Sequence, residues 1–489
     1  MKWPLSSIYE VFVRSFADGN EDGIGDLPGL RDQLDYIVGL GCDALWLTPF
    51  HPSPSYHKYD VTNYFDVDPE YGSIADFEDL IKEAHEKDLK VIMDLVVNHC
   101  SREHLWFQSA LKGDPEFRNY FIWKPKNAFK SKKQRRKGKS GDSDNTVIWH
   151  EIDGHSDLFY AYFWEGMPNL NYDNPAVRNQ VFEIGRFWLE KGVDGFRLDA
   201  AMHLYPDDQV DDTVAFWTEF KKEMQQVNPK VFLLGEVWKD LETQSKFKEC
   251  FSSLFSFDLS YSILESVKRG LIASAHVSKD AWKAEDRGSP AEIYNEGIAP
   301  NPGFIQSTFL SNHDQERVVS FLKNNIHKAK LAASILLTLP GIPVVYYGEE
   351  IGLKGKKPDE YLREPYPWCN QYQTDWMQPK YNKQPKPEVA ALLKDHYKTL
   401  LKFRNQYPEW AGSEVVPIDL KDPELFAFQI PMVDEELQII HNLSDEAKPL
   451  ELPYGMTPIF YTCGLENMEI NEFFTIQSYS SIIFKPNTP

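Results

Sequence analysis

Eight short apolar segments recur along this 489-residue chain, and the stretches between them are long enough to hold helices. The segments are mostly continuous in their apolar character, as is typical of strands buried on both faces of a parallel sheet. Helix-like stretches such as residues 73–89 separate them, with Ser73 as a candidate N-cap. The strand-like segments are residues 8–14, 44–47, 90–95, 195–198, 231–234, 251–254, 307–310 and 344–347. Eight βα units in this order predict a closed α/β barrel of the (β/α)8 type.

Polar or acidic side chains follow several of the predicted strands. The third strand segment leads to His99, the fourth to Asp199 and the fifth to Glu236. The seventh leads to His313 and Asp314. Because reactive groups in such barrels gather at the C-terminal ends of the strands, we expect these side chains to form the functional site.

Arg197 and Asp199 lie two residues apart on the fourth predicted strand. Side chains alternate along a strand, so both point to the same face. A neighbouring arginine favours the ionised form of a carboxyl group and fixes its direction, as a carboxylate nucleophile requires. A structural ion pair has the same spacing, and these two residues alone leave both interpretations open.

The four clusters resemble the four signature regions of the α-amylase family of retaining glycoside hydrolases (glycoside hydrolase family 13), in the same order over nearly the whole chain. A fifth short segment, MPNLN at residues 167–171, is similar to the MPDLN signature of bacterial α-amylases intermediate between oligo-1,6-glucosidases and neopullulanases, with Asn169 in place of the usual Asp. This chain also resembles the same group of α-amylases at three further segments: AMH (201–203), YHKYD (56–60) and YYGEEIG (346–352).

The resemblance implies three domains. The catalytic TIM barrel would comprise residues 1–99 and 167–411, with a small domain inserted after the third strand at residues 100–166. That insertion is too long for an ordinary βα loop. Residues 412–489 would form a C-terminal antiparallel β-sandwich, since short strand-like segments at 425–430, 437–443 and 478–484 are separated by turns.

The same resemblance implies the roles of three acids. Asp199 matches the nucleophile, Glu236 the acid/base, and Asp314 the third acid, which holds the hydroxyls of the reacting sugar. Retention of configuration requires the first two carboxyl groups to lie roughly 5 to 5.5 Å apart. An apolar setting that includes Trp238 would help to keep Glu236 protonated.

Sugar-binding positions also follow from the resemblance. Tyr59 matches an aromatic platform beneath the reacting glucose, and His99 and His313 match residues that hydrogen-bond it. The full expected set is His57, Tyr59, His99, Arg197, His203, His313 and Trp238, with Trp164 as a stacking candidate. For any single histidine, a role in the core is the alternative. Many family members have Lys at the position of Met202, so binding on the leaving-group side and the preference between hydrolysis and transfer stay open.

The segment DGNEDGIGD, which starts at Asp18, offers oxygen ligands at alternating positions. The expected ligands are the side chains of Asp18, Asn20, Asp22 and Asp26 and the carbonyl of Ile24. Hard oxygen donors at this spacing favour Ca²⁺, although Gly29 occupies the place of the EF-hand glutamate and excludes that motif. The loop resembles the calcium loop after the first strand in this part of the family. We therefore expect a structural Ca²⁺ site, with a solvated acidic turn as the alternative.

The charge and composition limit the partners. A formal net charge of −22 argues against nucleic acid, and the chain has no apolar run of membrane-spanning length. Five scattered cysteines give no disulfide framework. The N-terminus lacks an apolar signal core, so we expect a cytoplasmic monomer, or a periplasmic or secreted protein if a signal peptide has been removed.

Together these features predict an endo-acting enzyme that hydrolyses α-1,4-glucosidic bonds in starch, glycogen and maltooligosaccharides with retention. The alternatives within the family are a maltogenic or cyclodextrin-degrading amylase, an oligosaccharide α-glucosidase and a transglycosylase. A sugar-binding member without activity is disfavoured because Asp199, Glu236 and Asp314 are all present.

Overall fold

The computed structural model describes residues 5–136, 147–206, 208–273, 289–297, 304–368, 385–432, 436–451, 455–465 and 473–486. The chain adopts a (β/α)8 barrel with a C-terminal β domain, as the sequence predicts. The barrel strands are β1 (Ile8–Val11), β2 (Ala44–Leu47), β3 (Lys90–Leu95), β7 (Gly195–Leu198), β8 (Phe232–Gly235), β9 (Ser253–Leu254), β10 (Ser307–Phe309) and β11 (Ile342–Tyr346). Three further strands lie between β3 and β7 in the sequence: β4 (Trp123–Pro125), β5 (Trp149–His150) and β6 (Asp157–Tyr160).

The eight barrel strands form one sheet in the order β10-β11-β1-β2-β3-β7-β8-β9. A parallel bridge between Phe255, directly after β9, and Ser307 links the two ends of this order. All eight predicted strands are present, with bounds that shift by up to three residues. The first strand ends at Val11 and not at residue 14, because a helical turn begins at Val13.

The helices are α1 (Val13–Phe16), α2 (Leu27–Asp32), α3 (Leu34–Leu40), α4 (Ile74–Glu86), α5 (Leu105–Leu111), α6 (Pro115–Arg118), α7 (Pro175–Glu190), α8 (Val210–Val227), α9 (Leu241–Phe247), α10 (Phe257–Arg269), α11 (Pro290–Gly297), α12 (Val318–Phe321), α13 (Ile326–Thr338), α14 (Asp359–Leu362) and α15 (Pro387–Arg404). The predicted N-cap of α4 is confirmed. Ser73 Oγ accepts a hydrogen bond from the Asp76 amide at 3.3 Å, and the Asp76 carboxylate accepts one from the Ser73 amide at 2.9 Å. This reciprocal capping box satisfies two amides that the first turn of a helix otherwise leaves unbonded.

The chain divides into two compact units. The first comprises Met1–Ser15, Gln33–Leu45 and Phe255–Pro489, and the second comprises Phe16–Asp32 and Trp46–Leu254. These units do not follow the predicted domain boundaries, which stay predictions.

In the second unit, β4, β6 and β5 form a three-stranded antiparallel sheet within the predicted insertion. Aromatic side chains of this sheet and of the segment before β4 pack against helix α5. The ring of Phe107 lies 4.9 Å from that of Phe121 and 5.1 Å from that of Phe159. Residues 100–166 therefore contain a small sheet and helices of their own.

The last part of the first unit contains β12 (Val416–Ile418), β13 (Leu425–Pro431), β14 (Glu436–Asn442), β15 (Lys448–Glu451), β16 (Met456–Tyr461), β17 (Phe473–Ile476) and β18 (Ser481–Pro486). β12-β13-β14-β18-β16 form one antiparallel sheet and β15-β17 a second. Leu425 and Ile440 of the larger sheet share one buried cluster with Leu450 and Phe474 of the smaller. Two sheets packed over one apolar core form a β-sandwich.

No helix in the described parts of the chain is both long and apolar enough to cross a lipid bilayer.

Candidate active site

One buried arginine of the second unit contacts three carboxylates. Arg197, on β7, is 1% exposed, and its Nη1 lies 2.9 Å from Asp94 Oδ1 and 2.5 Å from Asp199 Oδ1. Its Nη2 lies 2.7 Å from Glu236 Oε2. Burial alone would lower the pKa of Arg197, but Asp94, Glu236, Tyr59 and Asp199 together raise it well above its usual value. The guanidinium is therefore a fixed cation that joins the predicted nucleophile to the predicted acid/base.

The register of three adjacent strands produces this arrangement. Asp94 on β3 pairs with Arg197 on β7, and Leu198 on β7 pairs with Gly235 on β8, directly before Glu236. Gly235 permits close packing, because a Cβ there would lie 2.6 Å from the ring of Phe251. A larger residue would displace the strand that delivers Glu236.

The turn after Asp199 contributes a second link to Glu236. Ala200 has a φ of +45°, an uncommon conformation for a residue with a side chain. In this conformation the Ala200 amide donates a hydrogen bond to Glu236 Oε2 at 3.0 Å. The backbone amide and Arg197 thus hold the same carboxylate oxygen.

Tyr59 and His99 are linked to this cluster through Asp94. The Tyr59 hydroxyl donates to Asp94 Oδ2 at 3.0 Å, and His99 Nε2 lies 2.9 Å from the Tyr59 carbonyl. Burial lowers the pKa of His99 to about 4, so its ring is neutral. A neutral ring that donates to Tyr59 accepts at Nδ1, where the Asn98 side-chain amide lies 3.1 Å away. His99 therefore supports the Tyr59 segment, and its contact with a sugar stays a prediction.

The other predicted sugar-binding residues of the second unit lie in different surroundings. His57 Nδ1 accepts a hydrogen bond from the Tyr59 amide at 3.1 Å. His203 is buried and stacks on Tyr162 with ring centroids 4.0 Å apart. Trp238 is partly buried, whereas Trp164 is 46% exposed and free to stack on a ligand from solvent. Their roles in binding stay predictions.

In the first unit, the predicted third acid has its own cationic partners. Asp314 Oδ2 lies 3.0 Å from His313 Nε2, and Asp314 Oδ1 accepts from Arg363 Nη2 at 2.7 Å. His313 Nδ1 lies 2.6 Å from Glu10 Oε1. Burial would lower the pKa of His313, but Asp314 and Glu10 raise it to about 10. This group comprises two carboxylates and two cations.

Sequence reasoning missed Asp94, Glu10 and Arg363. Asp94 and Glu10 carry a signal in retrospect, because each is an acid inside a mostly apolar strand and is completely buried. A buried carboxylate needs a partner, so such a position indicates an ion pair. Arg363 follows α14 in no recognisable motif, and nothing in the local sequence indicates its role.

The predicted calcium loop uses most of its carboxylate oxygens on its own backbone. Asp18 accepts from the amides of Glu21 and Gly23, both at 2.7 Å, and Asp26 Oδ1 accepts from the Gly29 amide at 2.7 Å. Asp26 Oδ2 is buried without a hydrogen-bond partner. Burial raises the pKa of Asp26, and the nearby charges of Asp18 and Asp22 add to the rise.

These donors suit a hard cation, which would relieve the repulsion among the acids and engage the buried Asp26 oxygen. The described residues nevertheless contain no group of three His, Cys, Asp or Glu side chains arranged to hold a metal ion. The calcium site with Asp18, Asn20, Asp22, Ile24 and Asp26 as ligands stays a prediction.

The chain is similar to known proteins in sequence and in fold. Residues 10–409 match the family described as "Alpha amylase, catalytic domain". The chain is 42% identical over 456 residues to "Alpha-amylase 3" of Dictyoglomus thermophilum, covering 90% of this chain and 85% of that protein. It is 33% identical over 455 residues to a "4-alpha-glucanotransferase" of Thermotoga maritima, covering 90% and 96%. The solved structure of an α-amylase from H. orenii is similar with a TM-score of 0.86 and 34% identity, covering 99% of both chains.

Proposed function

The chain belongs to the α-amylase family of glycoside hydrolases, and from that premise we propose that it hydrolyses internal α-1,4-glucosidic bonds with retention of configuration. Its substrates would be starch, glycogen and maltooligosaccharides. The observation that carries this proposal is the contact of Asp199 and Glu236 with one buried guanidinium, that of Arg197.

The proposed reaction has two steps. In the first, Asp199 attacks the anomeric carbon while Glu236 donates a proton to the departing glycosidic oxygen, so the C–O bond breaks and a glycosyl ester forms on Asp199. In the second, Glu236 takes a proton from water, and the resulting hydroxide displaces Asp199 from the sugar. Two inversions at the same carbon give net retention.

The contacts of Asp199 support its role as nucleophile, and those of Glu236 fix the position of its side chain. Arg197 Nη1 at 2.5 Å from Asp199 keeps that carboxylate ionised and aimed, as a nucleophile must be. Arg197 Nη2 and the Ala200 amide fix Oε2 of Glu236, which limits rotation of its side chain. Such fixed geometry lowers the barrier by removing the need to reorganise the groups during reaction.

Asp314 would hold the hydroxyls of the reacting sugar, most tightly as the ring approaches an oxocarbenium ion. Both of its oxygens are held, by His313 and by Arg363. A carboxylate with two cationic neighbours stays negatively charged, which suits the stabilisation of developing positive charge.

Transfer of the glycosyl group to another sugar is the second candidate. The similar protein of Thermotoga maritima is named a 4-alpha-glucanotransferase. Met202 is buried and brings no charge to the position where many family members have Lys. In transfer, a sugar hydroxyl would replace water in the second step, with the same residues in the same roles.

Three further expectations belong to the proposal. A Ca²⁺ ion in the loop from Asp18 to Asp26 would stabilise the fold without entering the reaction. The net charge of −22 supports an enzyme without nucleic-acid partners. We expect a monomer in the cytoplasm, or in the periplasm or outside the cell if a signal peptide is removed.

The test compares the wild-type enzyme with Asp199→Asn on maltoheptaose. Hydrolysis by the wild type raises the total number of reducing ends, whereas transfer conserves that number and yields chains longer than the substrate. Asp199→Asn should lose at least about a thousandfold in kcat, because it cannot form the ester. It should still bind maltoheptaose, since Arg197 retains Asp94 and Glu236 as partners. Turnover by Asp199→Asn near the wild-type rate would overturn the assignment of the nucleophile.

A further inference from the structure

We propose that Glu10 is a positioning residue for Asp314, which it orients by holding His313 as a cation. The proposal rests on the proposed function, because the role of Asp314 comes from there. Glu10 lies on β1 and precedes His313 by 303 residues.

The geometry around His313 requires both ring nitrogens to donate. Nδ1 lies 2.6 Å from Glu10 Oε1, and Nε2 lies 3.0 Å from Asp314 Oδ2. A neutral imidazole carries one N–H, so one of these carboxylates would face a lone pair. The imidazolium ion carries two, and it satisfies both contacts. The positions of Glu10 and Asp314 on either side of the ring therefore select the charged form.

Burial of both residues strengthens the preference of His313 for its charged form. Glu10 and His313 are both 0% exposed, and Glu10 Oε1 also accepts a hydrogen bond from the His313 backbone amide at 3.3 Å. A buried carboxylate is stable when its charge is paired and hydrogen-bonded, and the same holds for a buried imidazolium ion. Each of the two charges thus stabilises the other.

The other charged and titratable groups around this pair lie on neighbouring elements. Arg363, after α14, donates to the His313 carbonyl at 2.9 Å and to Asp314 at 2.7 Å. Tyr346 on β11 and Glu349 beyond it also sense the charge of Glu10. The raised pKa of His313, about 10, agrees with the cation that the geometry requires.

The charge of His313 affects the orientation of Asp314. The side chain of Asp314 is 42% exposed and so accessible from solvent. His313 holds Oδ2 and Arg363 holds Oδ1, which fixes the plane of the carboxylate. If Glu10 lost its charge, the pKa of His313 would fall, and its charge-assisted bond to Asp314 would weaken at a lower pH than in the wild type. Asp314 would then be held less firmly at Oδ2, while Arg363 still holds Oδ1.

The test is the pH dependence of kcat and KM in Glu10→Gln, which keeps the shape and removes the charge. We expect kcat at pH 8 to fall about ten- to a hundredfold, with KM within about twofold, because Asp314 acts mainly in the transition state. We also expect the alkaline limb of the kcat profile to move to lower pH. Glu10→Asp retains the charge and should restore part of the loss.

Asp194→Asn is the matched control. Asp194 is also a buried carboxylate with a histidine partner, His85 at 2.7 Å, but it belongs to no part of the proposed site. Its substitution should leave the alkaline limb where the wild type has it. A profile of Glu10→Gln that coincides with that of Asp194→Asn would overturn the proposal.

A direct measurement separates this proposal from the proposed function. In protein with ¹⁵N-labelled histidine, with His313 assigned by its loss in His313→Gln, the wild type should show both ring nitrogens protonated at pH 8. In Glu10→Gln the ring should lose its second proton at a lower pH than in the wild type, and if that variant does not fold, the wild-type and Glu10→Asp spectra decide. A neutral His313 in the wild type would overturn the role of Glu10, whereas absence of α-glucan cleavage together with a charged His313 would overturn the proposed function only.

Discussion

At the scale of single residues, the main feature is the distribution of a few buried cations among many acids. Arg197 contacts Asp94, Asp199 and Glu236, and three carboxylates around one arginine leave an excess of negative charge. That excess suits a site in which one acid must carry a proton during the reaction and another must be ionised. Glu236 is the member that would exchange the proton.

A different buried acid, Glu349, gives a prediction about stability. Burial raises the pKa of Glu349 to about 8, against the opposing effects of Ser311 and Arg317. The folded protein therefore binds this proton more tightly than the unfolded chain, in which the usual pKa is about 4.5. The resulting stabilisation is complete below pH 4.5 and is lost as the pH rises towards 8.

Glu349→Gln should remove this loss, because glutamine cannot ionise. Urea unfolding at pH 5 and pH 9 measures the effect. The free energy of unfolding of the variant, relative to the wild type, should be higher at pH 9 than at pH 5. A difference between the two proteins that does not change with pH would show that Glu349 is ionised in the fold throughout.

At the scale of elements, the sequence predicted which strands lead to acidic side chains. It did not predict which residues of other strands pair with the charged side chains. Asp199, Glu236 and Asp314 follow apolar runs whose local composition marks them as strands. The pairing of Asp94 with Arg197 depends on the register between β3 and β7 across 103 residues of chain, which local patterns do not encode. The positive φ of Ala200 could not be predicted from the sequence either, since glycine and not alanine usually occupies such a position.

Folding over longer distances explains the remaining differences. Arg363 contacts Asp314, which lies 49 residues earlier in the chain. His203 stacks on Tyr162, which belongs to the segment before MPNLN. Both contacts depend on how segments pack and not on their composition. By contrast, the capping box of Ser73 is local, and the sequence predicted its cap correctly.

The loop from Asp18 to Asp26 is the element in which we expect a structural Ca²⁺ ion. If it binds Ca²⁺, removal of the ion should destabilise the fold, because Asp18, Asp22 and Asp26 would then repel each other. The melting temperature should fall in excess chelator and recover on addition of Ca²⁺. Asp22→Asn should weaken this response, since Asp22 is exposed and its replacement should disturb the packing little. An identical melting curve with and without chelator would contradict a stabilising site.

At the scale of the whole molecule, each compact unit carries its own group of paired acids and cations. The first contains Glu10, His313, Asp314 and Arg363, and the second contains Asp94, Arg197, Asp199 and Glu236. Glu10, Asp94 and Arg197 lie on strands of one eight-stranded parallel sheet. The family match over residues 10–409 includes residues of both units.

Endo-acting hydrolysis by this chain is tested by a product time course on maltoheptaose labelled at its reducing end. It is run beside β-cyclodextrin and a short aryl α-glucoside, with Asp199→Asn as the blank. We expect labelled fragments of intermediate length from the first time points, little attack on the other two substrates and no products in the blank. Release of glucose or maltose from the start, preferential opening of the cyclodextrin ring, or products longer than maltoheptaose would contradict an endo-acting hydrolase.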